Sequence, residues 1–300
     1  MSGRVYKSSD LIKSIKRKGM LPETQITFSE QDFLDFATEE MDLGIMPLVL
    51  SYYEDYYSFY EEITVNHSTM RIKIPHRAVG NKLRFVGIKR NSGVIPLFKA
   101  NYDDIHAEYH NLFSRHYYIE NDELVFPTNL FSDNDKVVLS YYLRPNALVP
   151  DEYMCRIVNI SGNTLTVSGG DLSLYTTSDK IDVISDLSPN KILAIDLPIV
   201  SINVSLNQIT LSNVPSNVNV GQYICLAEKT AIVQIPTELQ SLLSQRVVAR
   251  CLEALGDQAG LQAANTKIAE IEQKATTLLS PRVESNSKKI IGSRIKFRRI

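Results

Sequence analysis

Residues 157–168 read IVNISGNTLTVS, and residues 199–212 read IVSINVSLNQITLS. In both stretches apolar and polar positions alternate on either side of polar turn residues, as they do in a β-hairpin. Across residues 64–235, similar short runs of Val, Ile, Tyr and Thr are interrupted by Gly, Pro, Asn, Asp and Ser about every eight to twelve residues. This spacing predicts an all-β region, in which residues 150–235 form a small barrel or sandwich and residues 64–149 form a preceding β segment.

The strands predicted in this region consist of β-branched and aromatic residues between turn residues. One predicted segment is a hairpin with Asn121 and Asp122 at its tip. The segments are residues 69–75, 83–89, 117–126 (the hairpin), 136–143, 153–160, 163–168, 180–185, 191–196, 198–204, 207–212 and 222–228.

The residues before the β region follow a helical period. Thr27 and Glu30 have the spacing of a capping box, and the apolar residues after them share one face as far as Gly44, which we expect to end the first helix. A second helix is predicted over residues 46–63, because proline is tolerated in a first helical turn and the tyrosines that follow recur at helical spacing. The acidic residues lie mostly on the opposite face.

The helical period returns after the β region, over residues 237–256 and residues 260–279, with Gly256 and Pro281 as stop signals. Neither terminal helix pair has a partner of its own. We therefore expect an α+β fold in which helices from both chain ends form one bundle and the β region is inserted between them. The predicted units are residues 1–63 (a basic segment and the acidic helix pair), 64–149 (the β segment), 150–235 (the barrel or sandwich), 236–280 (the helices that complete the bundle) and 281–300 (a basic extended arm).

The distribution of charged residues separates the chain into segments more clearly than any linker does. The 300 residues include 32 Lys and Arg against 34 Asp and Glu, and the resulting net charge of −2 argues against a dedicated nucleic-acid-binding protein. Residues 19–70 contain no Lys or Arg, whereas residues 71–90 contain no Asp or Glu, so these segments can pair within the molecule or between subunits. Contact of residues 71–90 with DNA is the alternative. The charges predicted to lie at a subunit contact or along a channel are Glu39, Glu40, Asp42, Glu54, Asp55, Arg71, Lys73, Arg77 and Arg84.

The sequence lacks the motifs of the common nucleotide and serine hydrolases, since GxxxxGK[ST], GxGxxG and GxSxG are absent. His106, Glu108 and His110 form the strongest candidate metal site. Their spacing differs from that of the zinc-protease motif, in which the glutamate directly follows the first histidine. A solvated polar face is the favoured interpretation, and we predict no metal, no cofactor and no enzymatic activity.

The three cysteines, Cys155, Cys225 and Cys251, form no CxxC pair, and this favours buried reduced thiols over a disulfide framework or a zinc site. No apolar stretch approaches the roughly 20 residues that are needed to cross a bilayer. The N-terminal residues also lack the apolar segment of a signal peptide. We therefore expect a protein that is made in a cytoplasm and has no membrane partner.

Several segments together carry a family resemblance. They are the Tyr-rich acidic helix pair at residues 28–63, RIKIPHRAVGNKLR at residues 71–84, the inserted β region, PTELQSLLSQRVVARCLEALGD at residues 236–257 and a basic arm after LLSPRV. This arrangement resembles the head-to-tail adaptor, or connector, proteins of tailed bacteriophages. The β insertion is larger than that of the small adaptors.

The resemblance implies a structural virion protein. Such adaptors form a ring, commonly of twelve copies, between the portal and a tail or stopper protein, and double-stranded DNA passes through the ring without sequence-specific binding. It implies a location in the neck of the virion, after assembly in the host cytoplasm, with the C-terminal arm reaching the portal. The arm residues expected to bind the portal are Ile290, Ile291, Arg294, Ile295, Lys296, Phe297, Arg298 and Arg299.

An alternative function gives the β region the main role. In that interpretation the protein is another virion structural protein or a carbohydrate-binding module of the tail or surface, and the helices only hold the β region in place. An aromatic-lined pocket within residues 150–230 would favour this alternative. Bound zinc at His106, Glu108 and His110 would instead favour an enzyme.

Overall fold

The chain has helices towards both ends and β-structure between them, which makes it a mixed α+β fold with a six-stranded closed barrel. The computed structural model describes residues 5–21, 27–66, 68–90, 93–100, 115–127, 130–187 and 190–279. The helices are α1 (Ser8–Lys18), α2 (Glu30–Glu40), α3 (Met46–Tyr52), α4 (Gln240–Leu255) and α5 (Gln258–Leu279), and a π-helical turn (Met41–Ile45) joins α2 to α3.

The strands follow the same order as the chain. They are β1 (Ser58–Thr64), β2 (Arg71–Lys73), β3 (Ala78–Arg90), β4 (Gly93–Pro96), β5 (Phe98–Lys99), β6 (His116–Glu120), β7 (Glu123–Val125), β8 (Lys136–Leu143), β9 (Ala147–Leu148), β10 (Cys155–Ser161), β11 (Thr164–Ser168), β12 (Lys180–Ile184), β13 (Ile192–Asn203), β14 (Gln208–Leu211), β15 (Tyr223–Leu226) and β16 (Lys229–Thr230).

The start of α2 differs from the sequence prediction. Ser29, not Thr27, is the N-cap: its hydroxyl accepts a hydrogen bond from the Asp32 backbone N–H at 3.1 Å. In return the Asp32 carboxylate accepts from the Ser29 N–H at 2.6 Å. The capping box predicted at Thr27 and Glu30 is therefore wrong by two residues, because serine and aspartate satisfy the same pair of amide groups.

Gly44 does not end the first helix, contrary to the prediction. The chain continues through the π-helical turn directly into α3, where Pro47 occupies the first turn. A Cβ atom on Gly44 would overlap the guanidinium group of Arg246 from α4, so a larger residue here would require the end of that side chain to move. Gly44 therefore lies at a close contact between helices and does not end one.

The predicted second helix is too long. α3 ends at Tyr52, and residues predicted as its last turns form β1, which pairs antiparallel with β8 so that Ser58 lies opposite Tyr142 and Thr64 opposite Lys136. The tyrosines at residues 52–60 recur at helical spacing although β1 begins at Ser58, so the local period alone does not distinguish helix from strand here. The pairing with β8 selects the strand.

Two four-stranded sheets form the first β region, with strand orders β1-β8-β3-β4 and β2-β7-β6-β5. Their inward residues build a hydrophobic core that includes Ile72, Leu124 and Tyr141. The hairpin predicted between residues 117 and 126 is confirmed as β6 and β7. Asn121 and Asp122 form its turn with φ of 47° and 63°, the left-handed values that a two-residue hairpin turn requires.

The prediction of a small barrel or sandwich is confirmed in the form of a closed barrel with strand order β10-β11-β14-β13-β12-β15. The two similar hairpins, β10–β11 and β13–β14, lie side by side in it. Leu165 and Ile209, which hold equivalent positions in the two hairpins, face each other across β11 and β14, and this gives the pair a local two-fold relationship. The strands predicted at residues 191–196 and 198–204 are one continuous strand, β13, with a bend at Asp196 (φ 55°).

Helices from the two ends of the chain contribute to one hydrophobic core. Leu11 of α1, Phe33 of α2 and Val247 of α4 are all fully buried in this core. α1 was not predicted from the sequence. α4 ends, as predicted, at Gly256, whose φ of 73° is the left-handed value of a helix C-cap. Residues 281–300, the predicted arm, lie outside the described residues.

Candidate functional site

A buried ion pair lies where the helical core, the first sheet and the barrel meet. Arg77 precedes β3 and Asp182 lies in β12, and their side chains are 4% and 0% exposed. Arg77 Nη1 donates to Asp182 Oδ1 at 2.9 Å, and Nη2 donates to Oδ2 at 2.7 Å. Burial lowers the pKa of Arg77, but the hydrogen bonds and charge of Asp182 outweigh this effect and raise the pKa above its usual value.

Further donors complete the environment of the Asp182 carboxylate. Oδ1 accepts from the backbone N–H of Asp196 at 3.0 Å, and Oδ2 accepts from Asn146 Nδ2 at 2.7 Å and from the backbone N–H of Glu228 at 3.0 Å. The backbone N–H of Asn146 in turn donates to Gln234 Oε1 at 2.9 Å. Because these residues come from different parts of the chain, the network fixes the barrel relative to the sheet and the helical core.

A pocket of about 270 Å³ opens beside this network; we call it the junction pocket. Its lining includes Thr38, Asp42, Arg144 and Glu228, together with His76, whose Nε2 lies 2.6 Å from Glu228 Oε1. Asp42 Oδ1 is buried and receives no hydrogen bond from any residue that the structure describes. Burial raises the pKa of Asp42 above its usual value, and the positive charge of Arg144 opposes this only in part.

A second polar cleft of about 580 Å³ lies between α4 and α5. Glu40 pairs there with Arg246 Nη1 at 3.0 Å and with Arg250 Nε at 2.6 Å. Arg250 also reaches Glu39 at 2.6 Å, and Arg246 reaches Glu272 of α5. These contacts join α2, α4 and α5 within one chain.

Most of the charged residues that the sequence predicted at a subunit contact or along a channel form ion pairs within the chain. Arg84 forms an ion pair with Asp55, and Glu54 accepts a hydrogen bond from the Tyr142 hydroxyl at 3.3 Å. Arg71 forms ion pairs with Glu120 at 2.6 Å and with Glu123 at 3.2 Å. Lys73 is exposed and makes no ion pair with a described residue. That any of these groups lies between subunits or along a channel stays a prediction.

Two sets of predicted residues lie outside the described part of the chain. The first is the candidate metal site, His106, Glu108 and His110, and the second is the portal-binding set of the arm within residues 281–300. Among the residues that are described, no group of three or more His, Cys, Asp and Glu side chains is arranged to hold a metal ion. Nor does any helix in the described ranges have the length and apolar character to cross a membrane.

Sequence reasoning missed the residues at the centre of the junction. Asp182, Asn146 and Gln234 are buried polar groups within apolar surroundings. The available signal was Asp182 itself, a single carboxylate between the apolar residues of KIDVI at residues 180–184. A lone acid on a buried strand requires a buried partner, although the sequence does not show which residue it is.

Comparison with known proteins does not assign the chain to a family. No protein-family model matches the chain, and no curated protein is significantly similar to it.

The three cysteines are buried and reduced. Burial raises the pKa of Cys155 and Cys251 to about 11 and that of Cys225 to about 12, so little thiolate forms near neutral pH. We expect the native protein to react only slowly with 5,5′-dithiobis(2-nitrobenzoate) at pH 8, and all three thiols to react at once after unfolding in guanidinium chloride. A thiol that titrates rapidly in the native protein would contradict this prediction.

Proposed function

We propose that this protein is a head-to-tail adaptor of a tailed bacteriophage, which forms a ring that joins the portal to the tail and lets DNA pass. The supporting observation is that helices from both chain ends share one hydrophobic core while the β-structure is inserted between them. This layout is one of the features on which the resemblance to adaptor proteins rests. We further propose that the terminal helices form a bundle and that residues 281–300 form a basic arm that contacts the portal.

The paired charges suit a subunit that folds before it assembles. In-chain carboxylates neutralise most of the basic residues between positions 71 and 90, so this segment offers little free charge for binding DNA phosphates. A channel with little free positive charge would allow DNA to slide. The paired residues are Arg71, Arg77, Arg84, Lys89 and Arg90.

The proposal assigns a set of partners and a location. The ring consists of copies of this chain, twelve by analogy with adaptors, and contacts the portal on one side and a tail or stopper protein on the other. It lies in the neck of the virion after assembly in the host cytoplasm. The protein has no catalytic step, cofactor or membrane partner in this role.

The carbohydrate-binding alternative has less support. An open aromatic surface on the barrel would favour it, since sugars stack on exposed rings. The ring of Tyr175 is instead buried in the barrel core, where its hydroxyl donates to the Tyr153 carbonyl at 2.7 Å. Tyr223 is half-buried, and the guanidinium of Arg156 lies 6.0 Å from its ring centre.

Light scattering of the purified protein, alone and with the portal of the same virus, tests the proposal. We expect a species of low mass alone and a closed multi-copy ring on the portal. Reversing the charges of Arg294, Lys296, Arg298 and Arg299 to glutamate should abolish ring formation on the portal, because the arm would then be acidic. An unrelated ring protein of similar size serves as the control template. A chain whose mass is the same with and without the portal would refute the adaptor function.

A further inference from the structure

Two aromatic side chains lie on the outer face of the sheet β1-β8-β3-β4. The strand register places Tyr60 of β1 and Phe85 of β3 opposite the same residue, Ser140 of β8, so the three form one row across the sheet. Because successive side chains of a strand point to opposite faces, this row lies on the side opposite Leu139 and Tyr141, which are buried in the core. Tyr60 is 53% exposed and Phe85 is 37% exposed, so both rings are accessible from one side of the sheet.

Both rings lean along their strands towards the next row. Phe85 Cε1 and Cζ lie over Gly87, where an added Cβ atom would be 2.7 and 2.8 Å from them. The Tyr60 hydroxyl donates to Glu62 Oε1 at 3.3 Å, two residues further along β1. β1 and β3 are both antiparallel to β8, so the two rings lean in the same direction. They therefore lie side by side, separated by two strand spacings of about 10 Å in total, and Val138 of β8 is fully buried between them.

The charged groups around the rings are paired with one another. The Glu62 carboxylate accepts from Lys89 Nζ at 2.5 Å and from Lys136 Nζ at 3.1 Å. Arg84 forms an ion pair with Asp55. A face that binds single-stranded nucleic acid combines stacking rings with cations that are free to contact phosphates, and here these cations already have carboxylate partners. The paired groups can still exchange hydrogen bonds with the hydroxyl groups of a neutral ligand.

An extended, neutral sugar chain fits this combination of groups. The C–H face of a pyranose ring stacks on an aromatic ring, and its hydroxyls bond to carboxylate and ammonium groups at the side. In a β-1,4-linked chain, every second sugar repeats at a distance comparable to two strand spacings, so one sugar can lie on each ring. A protein surface would instead bury Glu62 and its two lysines, at a high cost in desolvation, whereas a narrow chain leaves them at its edge in water.

We propose that the face around Tyr60 and Phe85, which we call the aromatic face, binds a neutral β-1,4-linked oligosaccharide with one sugar stacked on each ring. This site lies on the first sheet and not on the barrel, where the alternative function would place sugar binding. The proposal goes beyond the adaptor function and does not depend on it, because the residues of the aromatic face take no part in the helical core.

Backbone amide NMR of the full-length protein, titrated with cellohexaose and chitohexaose, tests the site. We expect at least one of these β-1,4-linked chains to shift the signals of residues 60–62, 85–87 and 138–140 saturably. Maltohexaose, a curved α-1,4-linked chain, should bind at least about fivefold more weakly. Oligodeoxythymidylate is the competing probe, because Lys82 is exposed nearby on β3. If neither β-1,4-linked chain binds, or if oligodeoxythymidylate alone shifts these signals, the proposal is overturned.

Substitutions on the aromatic face test whether the rings make the contact. Tyr60→Ala and Phe85→Leu should each weaken binding at least about fivefold, since each removes one stacking surface while leucine still covers Val138. Tyr60→Phe keeps the ring and should bind nearly as well as the wild type. Leu206→Ala, at an apolar residue that is 58% exposed on the barrel, should leave binding unchanged. Thermal melting confirms that each variant is folded, and wild-type affinity in folded Tyr60→Ala and Phe85→Leu variants overturns the proposal.

Discussion

Replacing Arg77 with methionine is expected to lower the free energy of unfolding by about 3–5 kcal/mol. The substitution leaves the Asp182 carboxylate fully buried without a counter-charge, and only Asn146 and the two backbone N–H groups of Asp196 and Glu228 still donate to it. Urea unfolding followed by far-ultraviolet circular dichroism measures the loss.

Arg71→Met is the matched control, because it removes an arginine whose side chain is 50% exposed. Its ion pairs with Glu120 and Glu123 are solvated, so the expected loss is below about 1 kcal/mol. Adding Asp182→Asn to Arg77→Met should recover part of the loss, since the unpaired charge disappears while an acceptor oxygen remains. If the two arginine variants were equally stable, the junction network would not hold the three parts of the fold together.

Replacing Gly170 with alanine is expected to destabilise the barrel by about 3–5 kcal/mol. Gly170 follows β11 with a φ of 69°, which is unfavourable for any residue with a Cβ atom. The added Cβ would also overlap the backbone carbonyl of Met154 and lie 2.8 Å from Cys155 Sγ. A backbone carbonyl cannot move aside as the end of a flexible side chain can, so the barrel end must distort.

The neighbouring Gly169 provides the control for this prediction. It has the same φ of 69°, but a Cβ atom there would meet nothing within 4 Å. Gly169→Ala should therefore cost only the conformational penalty, about 1–2 kcal/mol. Urea unfolding of the two variants isolates the steric contribution at Gly170. Equal losses would show that the contact with Met154 contributes nothing.

Local patterns predicted elements well where the deciding interactions lie nearby in sequence. The turn at Asn121 and Asp122, the helix end at Gly256 and the strand at residues 136–143 all agree with the structure, because turn and cap residues act through their own backbone. β1 was misread as helix, since its identity depends on distant pairing. Glu61, for example, accepts a hydrogen bond from the hydroxyl of Tyr141, 80 residues away, at 3.1 Å.

The candidate site was predictable only in part. The acidic segment drew attention to Asp42, but its distinguishing property, a buried oxygen without a donor, depends on how the π-helical turn packs against residues 144–147. Arg77 was singled out as one charge of a basic run. Its burial could not be read from that run, in which six other lysines and arginines occur between positions 71 and 90.

Alternation and turn chemistry, which act over a few residues, were enough to predict helices towards both ends of the chain and, between them, a β region containing a small barrel or sandwich. Closure of the barrel and the pairing of particular charges depend on contacts between distant parts of the chain. Arg77 and Asp182 are 105 residues apart, and the sequence around each residue does not identify the other as its partner. Their pairing follows from burial, since a charge removed from water must find its counter-charge wherever the fold brings one within reach.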